Sequence, residues 1–176
     1  MIKLKKLLKE IENGPYEYGC VMLYFDFDET QMSSIIDDKD IYDDGSGKYG
    51  KETEPHVTLL YGLHSNVTPQ IVQQILDNVH FGDIHLTNVS VFENGEYDVL
   101  KMDASGDGLE KANHMLMKLP NSNEYPDYRP HMTIAYLQRG RWQAYTNRMR
   151  DLQFQVTPIF AIYSVPSGKK FKLKIK

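Results

Sequence analysis

Two seven-residue stretches decide the fold of this chain, and they are nearly identical. Each holds a His-x-Thr triplet that follows a proline, with apolar residues around the threonine and a tyrosine at the end. The two stretches are Pro55-His56-Val57-Thr58-Leu59-Leu60-Tyr61 and Pro130-His131-Met132-Thr133-Ile134-Ala135-Tyr136. Roughly 0.3 His-x-Thr triplets would be expected by chance in a chain of this composition. Two buried strands that each happen to carry a histidine would give the same triplets, but the matched flanks favour a functional repeat.

The alternation of polar and apolar residues predicts that both stretches are β-strands. Residues two apart in a strand point to the same face, so His56 projects with Thr58, and His131 projects with Thr133. The residues between and after them point the other way and anchor each strand in a core. These anchoring residues are Val57, Leu59, Met132 and Ile134.

Two imidazoles and two hydroxyls form a set that suits a phosphodiester if the two strands face each other across a groove. One histidine would remove a proton from the nucleophile and the other would protonate the leaving oxygen, and the sequence leaves open which does which. The threonine hydroxyls would hydrogen-bond the phosphoryl oxygens. We therefore predict His56, Thr58, His131 and Thr133 as catalytic residues, with no metal and no cofactor.

Composition narrows the range of partners. The chain has 176 residues, a net charge of −4 and a pI near 5.8. We expect one bilobal domain over residues 1–176, and a monomer. The acidic balance argues against binding of long nucleic acid, which needs an excess of Lys and Arg along one face, but it allows a small anionic ligand.

The sequence also favours a cytoplasmic protein. Cys20 is the only cysteine, so the chain has no intrachain disulfide and no cysteine-based metal site. Residues 2–12 are too charged for a signal peptide and predict an amphipathic helix. No apolar run approaches the roughly 20 residues that span a bilayer.

The remaining patterns predict an α+β fold with antiparallel strands in two pseudo-symmetric lobes around a central cleft, with flanking helices. Thr68 is predicted to cap a helix that begins at Pro69. The predicted strands are residues 18–27, 56–61, 84–92, 97–103, the second His-x-Thr stretch, 154–165 and 170–175. The predicted helices after the first are residues 68–79, 108–119 and 141–150.

Residues 28–54 form a polar, acidic insert. An acidic cluster can hold Mg²⁺ or Ca²⁺, but the spacing of an EF-hand is missing, so we predict a solvated loop with one helical turn. A long polar insert beside a site often acts as a lid. Gly45, Gly47 and Gly50 would allow such a movement.

Three aromatic residues are candidates for stacking on a nucleobase. Phe92 shares a strand face with Asn88 and Ser90, which leaves an aromatic ring among polar neighbours. Tyr18 and Tyr24 lie on the less aliphatic face of the first strand. Filling the core is the alternative role for each of these rings.

The paired motifs resemble those of the 2H phosphoesterase superfamily, whose two His-x-Thr/Ser motifs lie on paired β-lobes around a cleft. Together with the stretch from Gly14 to Phe25, they are similar to the phage anti-CBASS cyclic-oligonucleotide phosphodiesterases. The resemblance covers most of the chain. It implies metal-independent hydrolysis of 3′-5′ linkages in cyclic di- and trinucleotides within the host bacterial cytoplasm, which blocks antiphage signalling.

Two other functions fit the same motifs. One is a 2H enzyme that acts on RNA ends, either on 2′,3′-cyclic phosphates or on 2′-5′ linkages. The other is a module that binds and sequesters a nucleotide without cleaving it. The acidic pI favours a small ligand over long RNA, and two titratable groups with two hydroxyls exceed what binding alone requires.

Overall fold

The structure, a computed structural model, describes residues 17–47, 49–125 and 127–176. Its strands are β1 Gly19–Phe25, β2 His56–Leu63, β3 Ile84–Glu93, β4 Tyr97–Ser105, β5 His131–Gln138, β6 Phe154–Val156, β7 Pro158–Ser164 and β8 Lys170–Leu173. Its helices are α1 Thr30–Ser33, α2 Pro69–Leu76, α3 Asp107–Leu116 and α4 Trp142–Arg148, with a 3-10 turn at Asp38–Asp40. The helix predicted at residues 2–12 lies outside the described residues.

The described strands form one antiparallel sheet, and the two His-x-Thr strands lie side by side at its middle. The strand order is β6-β3-β4-β5-β2-β1-β7-β8. On one side of the β5–β2 junction the sheet continues through β4, β3 and β6, and on the other through β1, β7 and β8. The predicted α+β fold with two pseudo-symmetric lobes is confirmed, and the lobes are the two halves of one continuous sheet.

The connection between β6 and β7 requires the sheet to curl. These strands lie six interstrand steps apart in the sheet, which would be roughly 29 Å if the sheet were flat. Only Thr157 separates Val156 from Pro158, and two peptide units reach at most about 7.6 Å. The sheet therefore curls into a half-barrel, so that the end of β6 lies close to the start of β7.

The single strand predicted at residues 154–165 is wrong, because the chain leaves one lobe for the other at Thr157. Residues 154–156 pair with β3, whereas β7 pairs with β1. The switch occurs at Pro158, which has no N–H to continue the hydrogen-bond ladder of β6 and which begins the next strand instead.

A β-bulge interrupts each His-x-Thr strand at its fourth residue. Val21 pairs with Leu60 and Met22 with Thr58, which leaves Leu59 as the extra residue. The register of β4 with β5 shifts in the same way, at Ile134. A bulge puts two consecutive residues on one face, which explains why both strands carry an apolar pair followed by tyrosine.

The core lies between one face of the sheet and the helices. The inward-facing residues of the strands pack with buried residues of α2, α3 and the end of α4 in one cluster. Thr68 caps α2 as predicted, because its hydroxyl accepts a hydrogen bond from the N–H of Ile71. The opposite face of the sheet, which we call the cleft face, carries the histidines and threonines of both motifs.

β2 and β5 pair at Val57 and Met132 and then diverge, so each strand finds other partners for its free edge. The chain that precedes β2 runs along β5, where Glu52 donates to the Ile134 carbonyl at 2.8 Å. The chain that precedes β5 runs along β2, where the N–H of Ser122 donates to Gly62 at 2.9 Å.

The contacts along β5 attach the acidic insert, residues 28–54, to the sheet. Ile41 and Lys51 both form bridges to β5. The insert contains α1 and the 3-10 turn, and Asp40 is buried with its carboxylate accepting a 2.6 Å hydrogen bond from the hydroxyl of Tyr145. The predicted solvated loop thus has a buried anchor. The lid movement of residues 28–54 stays a prediction.

The close approach of the chain before β5 to β2 can be tested at Gly62. Its φ is +116°, and an added Cβ would lie 2.9 Å from the backbone nitrogen of Asn123. Gly62→Ala should therefore lower the free energy of unfolding by about 1–3 kcal/mol, measured by urea denaturation. Gly82→Ala is the matched control, since nothing lies within 4 Å of its added Cβ. Equal stability of the two variants would contradict the close approach of the two chains.

Candidate functional site

The pairing of β2 with β5 brings both motifs together. Val57 is opposite Met132 in an antiparallel pair, so His56 lies opposite Thr133, and Thr58 lies opposite His131. The two histidines are diagonal neighbours, which lie about 7–8 Å apart in a sheet, with their Cβ atoms somewhat closer. The predicted groove between two facing strands is thus replaced by adjacent strands of one curled sheet, and the four side chains still share one small area.

The registers of the neighbouring strands extend this area into two rows of side chains on the cleft face. The first row runs Phe160, Tyr24, His56, Thr133, Lys101, Ser90. The second row runs Ile162, Met22, Thr58, His131, Asp103, Thr87. The two lobes are related in backbone but differ in the side chains that lie beyond the motif residues. These are apolar or aromatic in the lobe of His56 (Tyr24, Phe160, Met22, Ile162) and polar or charged in the lobe of His131 (Lys101, Ser90, Asp103, Thr87).

Both imidazoles are held in the same orientation by their own strands. Nδ1 of His56 lies 2.7 Å from the carbonyl oxygen of Glu54, and Nδ1 of His131 lies 2.9 Å from that of Arg129. A carbonyl only accepts, so each Nδ1 carries the proton. In the neutral ring Nε2 is then the free acceptor, and in the charged ring it is a donor. Each histidine can therefore act as base or as acid through Nε2.

The surroundings of His131 favour its neutral form. Burial in the cleft lowers the pKa of His131, and the hydrogen bond to the Arg129 carbonyl opposes this effect. The nearby positive charges of Lys101 and His56 lower the pKa further, while Asp103 raises it. The net pKa of His131 lies below its usual value, which suits a group that accepts a proton near neutral pH.

A charged network lies beside His131. Lys101 is buried, and its Nζ donates to Asp103 Oδ1 at 2.5 Å and to Ser90 Oγ at 2.8 Å. Asn88, the extra residue of a bulge in β3 with φ +52°, donates to the other oxygen of Asp103 at 2.5 Å. Burial alone would raise the pKa of Asp103, but the hydrogen bonds from Lys101 and Asn88 outweigh it and hold the pKa below its usual range.

The lobe that carries His56 is apolar at the equivalent positions. Cys20, Met22 and Tyr24 form a small buried cluster on the cleft face. Burial raises the pKa of the Cys20 thiol to about 12, although a hydrogen bond with Thr58 opposes the rise. The thiol is therefore neutral at physiological pH, and its contact with Thr58 helps to hold that hydroxyl in place.

The three predicted base-stacking residues occupy different environments. Tyr24 is only 8% exposed, and its ring lies 5.3 Å from the ring of His56 and 5.2 Å from that of Phe160. It offers little free surface to a base. Phe92 meets His131 edge-on at 4.9 Å, and Tyr18 is partly exposed at the end of β2, stacked on His64 at 5.9 Å.

The sequence matches a known family over most of its length. A family model for the 2′-5′ RNA ligase superfamily covers residues 39–163, which include both His-x-Thr strands. The chain belongs to this superfamily of 2H phosphoesterases. The resemblance seen in the motifs is thereby confirmed for the superfamily, while the similarity to anti-CBASS enzymes stays a prediction. None of the curated protein sequences matches this 2H phosphoesterase significantly.

Solved structures share the fold. Usb1 from Kluyveromyces marxianus, in complex with uridine monophosphate, has a TM-score of 0.58 at 13% identity, over 90% of this chain and 98% of its own. LigT from E. coli, in complex with 3′-AMP, has a TM-score of 0.53 at 13% identity, over 91% of this chain and 95% of its own. At this identity the likeness shows that this 2H phosphoesterase has their fold.

Lys101 and Asp103 were not predicted as site residues, although their positions in the sequence carry a signal. In the stretch from Val99 to Ala104, Lys101 and Asp103 are two residues apart among apolar neighbours. That spacing puts both charges on one face of a strand that is otherwise buried. Charged residues on such a face need partners, and their partners here belong to this 2H phosphoesterase site.

Residues 17–47, 49–125 and 127–176 contain neither a metal-binding cluster nor a membrane-spanning helix. No group of three or more His, Cys, Asp or Glu side chains is placed to hold a metal ion. No helix within those ranges has both the length and the apolar character needed to cross a membrane.

The orientation of both histidines can be measured directly. Long-range ¹H–¹⁵N NMR should show the Nδ1–H tautomer for His56 and His131, because both Nδ1 atoms face carbonyl oxygens. His131 should titrate below 6.5. His114, on α3, serves as a comparison outside the site. An Nε2–H tautomer at either motif histidine would contradict the arrangement.

Proposed function

We propose that this protein is a metal-independent phosphodiesterase that cleaves the 3′-5′ linkages of cyclic di- and trinucleotides. One observation carries the proposal: two histidines with their Nε2 atoms free lie diagonally across the β2–β5 junction, each opposite a threonine. A single phosphate at that junction would have a base, an acid and two hydroxyl donors around it. The superfamily match agrees with a phosphoesterase activity.

In the first step a ribose 2′-hydroxyl attacks the adjacent phosphorus. His131 takes the 2′-OH proton on Nε2, since its lowered pKa leaves that atom unprotonated near neutral pH. The new P–O2′ bond forms as the P–O5′ bond breaks. His56 donates the Nε2 proton to the leaving 5′ oxygen, and the product is a 2′,3′-cyclic phosphate with a free 5′-hydroxyl.

In the second step water opens the 2′,3′-cyclic phosphate with the roles of the histidines reversed. His56, now neutral, takes a proton from water, and the protonated His131 returns its proton to the departing ribose oxygen. Thr58 and Thr133 donate hydrogen bonds to the phosphoryl oxygens in both steps, where negative charge develops. Proton transfer and charge stabilisation are both supplied by the chain.

Three features support a small cyclic substrate. The net charge of −4 disfavours contact with a long polyanion. The stretch from Gly14 to Phe25 and both motifs are similar to the anti-CBASS phosphodiesterases. Phe92 is also partly exposed beside the site, where its ring meets His131 edge-on at 4.9 Å, and it is placed to stack on a base. We accordingly place the protein in the bacterial cytoplasm as a phage-encoded monomer that blocks antiphage signalling.

An activity on RNA ends is the second candidate. The matching family model is that of the 2′-5′ RNA ligase superfamily, and the Usb1 and LigT structures with this fold hold mononucleotides. An enzyme of this kind would use the same two histidines on a 2′,3′-cyclic phosphate or a 2′-5′ linkage. The two candidates differ in substrate and share the chemistry.

The substrate is tested with a panel of cyclic di- and trinucleotides, 2′-5′ oligoadenylate and RNA ending in a 2′,3′-cyclic phosphate. Products are identified by mass, in parallel reactions with and without EDTA. We expect the cyclic nucleotides to be opened at 3′-5′ linkages at the same rate with and without EDTA. Cleavage of the RNA substrates alone would select the second candidate, and tight binding without cleavage would select a sequestering protein.

The roles of the histidines are tested with His56→Ala and His131→Ala. Each should lower kcat by about 10³-fold or more, because proton transfer at one end of the reaction is lost. His114→Ala, outside the site, should retain full activity. With the wild type, kcat/KM should fall as the pH drops through the pKa of His131, because the base becomes protonated. Full turnover by either motif variant would refute the mechanism.

A further inference from the structure

The cleft face holds one buried cation that the two His-x-Thr motifs do not explain. Lys101 is 7% exposed and belongs to the same side-chain row as His56 and Thr133. Its strand position is directly opposite Thr133, so the two side chains stand next to each other on the cleft face. A lysine is almost never fully buried unless it has partners that compensate its charge.

The partners of Lys101 hold its ammonium group in one place beside His131. Asp103, two residues along the same face, accepts from Nζ at 2.5 Å, and Ser90 accepts at 2.8 Å. Phe92 covers the group, with Nζ 4.7 Å from its ring centroid, and the same ring lies 4.9 Å from the ring of His131. The cation and the imidazole therefore flank one aromatic ring.

In the other lobe, the position equivalent to Lys101 is held by an apolar residue. Met22 is opposite Thr58 as Lys101 is opposite Thr133, and Ile162 lies beyond Met22 as Ser90 lies beyond Lys101. The fold therefore accepts an unbranched apolar side chain at this place. A buried lysine with an aspartate and an asparagine to support it costs more than methionine, which points to a function.

We infer that Lys101 is a third phosphate-binding group of this site, beside the two threonines. An ammonium has three N–H donors, and Ser90 and Asp103 engage two of them, which leaves one for a non-bridging oxygen of a phosphate bound next to Thr133. Asp103 and Asn88 act as positioning residues, since they hold Lys101 and touch no reacting atom. The inference rests on the proposed function, because it concerns the same phosphodiester site.

This assignment makes the site asymmetric. The phosphate is bound by a buried cation of the lobe that carries His131. In the lobe that carries His56, the two positions beyond Thr58 are held by the apolar Met22 and Ile162, and the exposed Lys172 lies further out. The negative charge that grows on the phosphoryl oxygens during attack is then stabilised by a cation inside a partly buried site, where such contacts are strong. Lys101 also helps to keep His131 neutral, so one residue serves the phosphate and the base together.

The test uses Lys101→Met, which installs the residue found at the equivalent place in the other lobe. Binding of inorganic phosphate and of 3′-AMP is followed by ³¹P NMR and calorimetry on the full chain. We expect the dissociation constants to rise about ten- to hundredfold, as for loss of a charge-assisted hydrogen bond. For the diester that the wild type cleaves, kcat/KM should fall about 10²–10³-fold.

A double variant, Lys101→Met with Asp103→Asn, separates two explanations of that loss. It removes the carboxylate that would otherwise stand unpaired and repel the phosphate. If Lys101 binds the phosphate, the double variant should bind phosphate and 3′-AMP as weakly as the single variant does. Recovery of wild-type affinity in the double variant would mean that Lys101 serves only to neutralise Asp103, and the inference would fall.

Lys172→Met is the matched control, because Lys172 also lies over an aromatic ring, that of Phe160 at 3.9 Å, but is exposed. It should bind the probes as the wild type does. In Lys101→Met, the acid limb of the kcat/KM–pH profile should also move to higher pH. His131 then has Asp103 and His56 as its charged neighbours and loses a cation that lowers its pKa. A purely structural loss would leave that limb in place.

The outcomes distinguish the inference from the proposed function. If the wild type binds phosphate and Lys101→Met binds it equally well, the role of Lys101 is refuted and the function stands. If the wild type cleaves no diester but binds 3′-AMP through Lys101, the function is wrong and the phosphate site stands. If the wild type binds neither probe, the role of Lys101 is refuted, and the function is refuted with it only if no cyclic nucleotide is cleaved.

Discussion

The backbone pairing of Val57 with Met132 is the contact on which the rest of the site depends. It joins two half-sheets whose remaining strands never meet directly at the middle, and it lies between the two histidines. Because antiparallel register is fixed by one pair, this contact places each histidine opposite the threonine of the other motif. The side chains of Val57 and Met132 are fully buried on the core face, so the register cannot slip by one residue without exposing them.

The divergence of β2 and β5 beyond the Val57–Met132 pair opens the space of the cleft. If the two strands paired along their full length, the four side chains would lie on a continuous stretch of sheet. Instead each strand takes the chain that precedes the other motif as its edge partner, and Tyr128 and Asn113 satisfy the carbonyls of Thr58 and Leu59 at 3.0 and 2.7 Å. Each backbone carbonyl that loses a strand partner there needs another donor. Helix α3 and the loops therefore stabilise the shape of the cleft.

The two lobes show how a repeated backbone acquires unequal chemistry. The bulge, the histidine orientation and the His/Thr alternation are the same in both halves. The neighbouring strands differ: β1 brings Met22 and Tyr24, whereas β4 brings Lys101 and Asp103. Acid–base catalysis needs one histidine neutral and the other protonated. Because the motifs themselves are equal, the neutral form of His131 is favoured by its surroundings, namely burial and the nearby charge of Lys101.

The sequence by itself determined the local features: which residues form the two key strands, that His56 shares a face with Thr58 and His131 with Thr133, and that Thr68 begins a helix. These follow from the two-residue period of a strand and from capping, which act over a few residues. The adjacency of β2 and β5, the split at Thr157 and the burial of Asp40 were decided only by the tertiary structure. Each depends on contacts between residues far apart in the chain, and no local period encodes them. The pairing of Lys101 with the site belongs to the same class, since its charge was visible in the sequence and its neighbours were not.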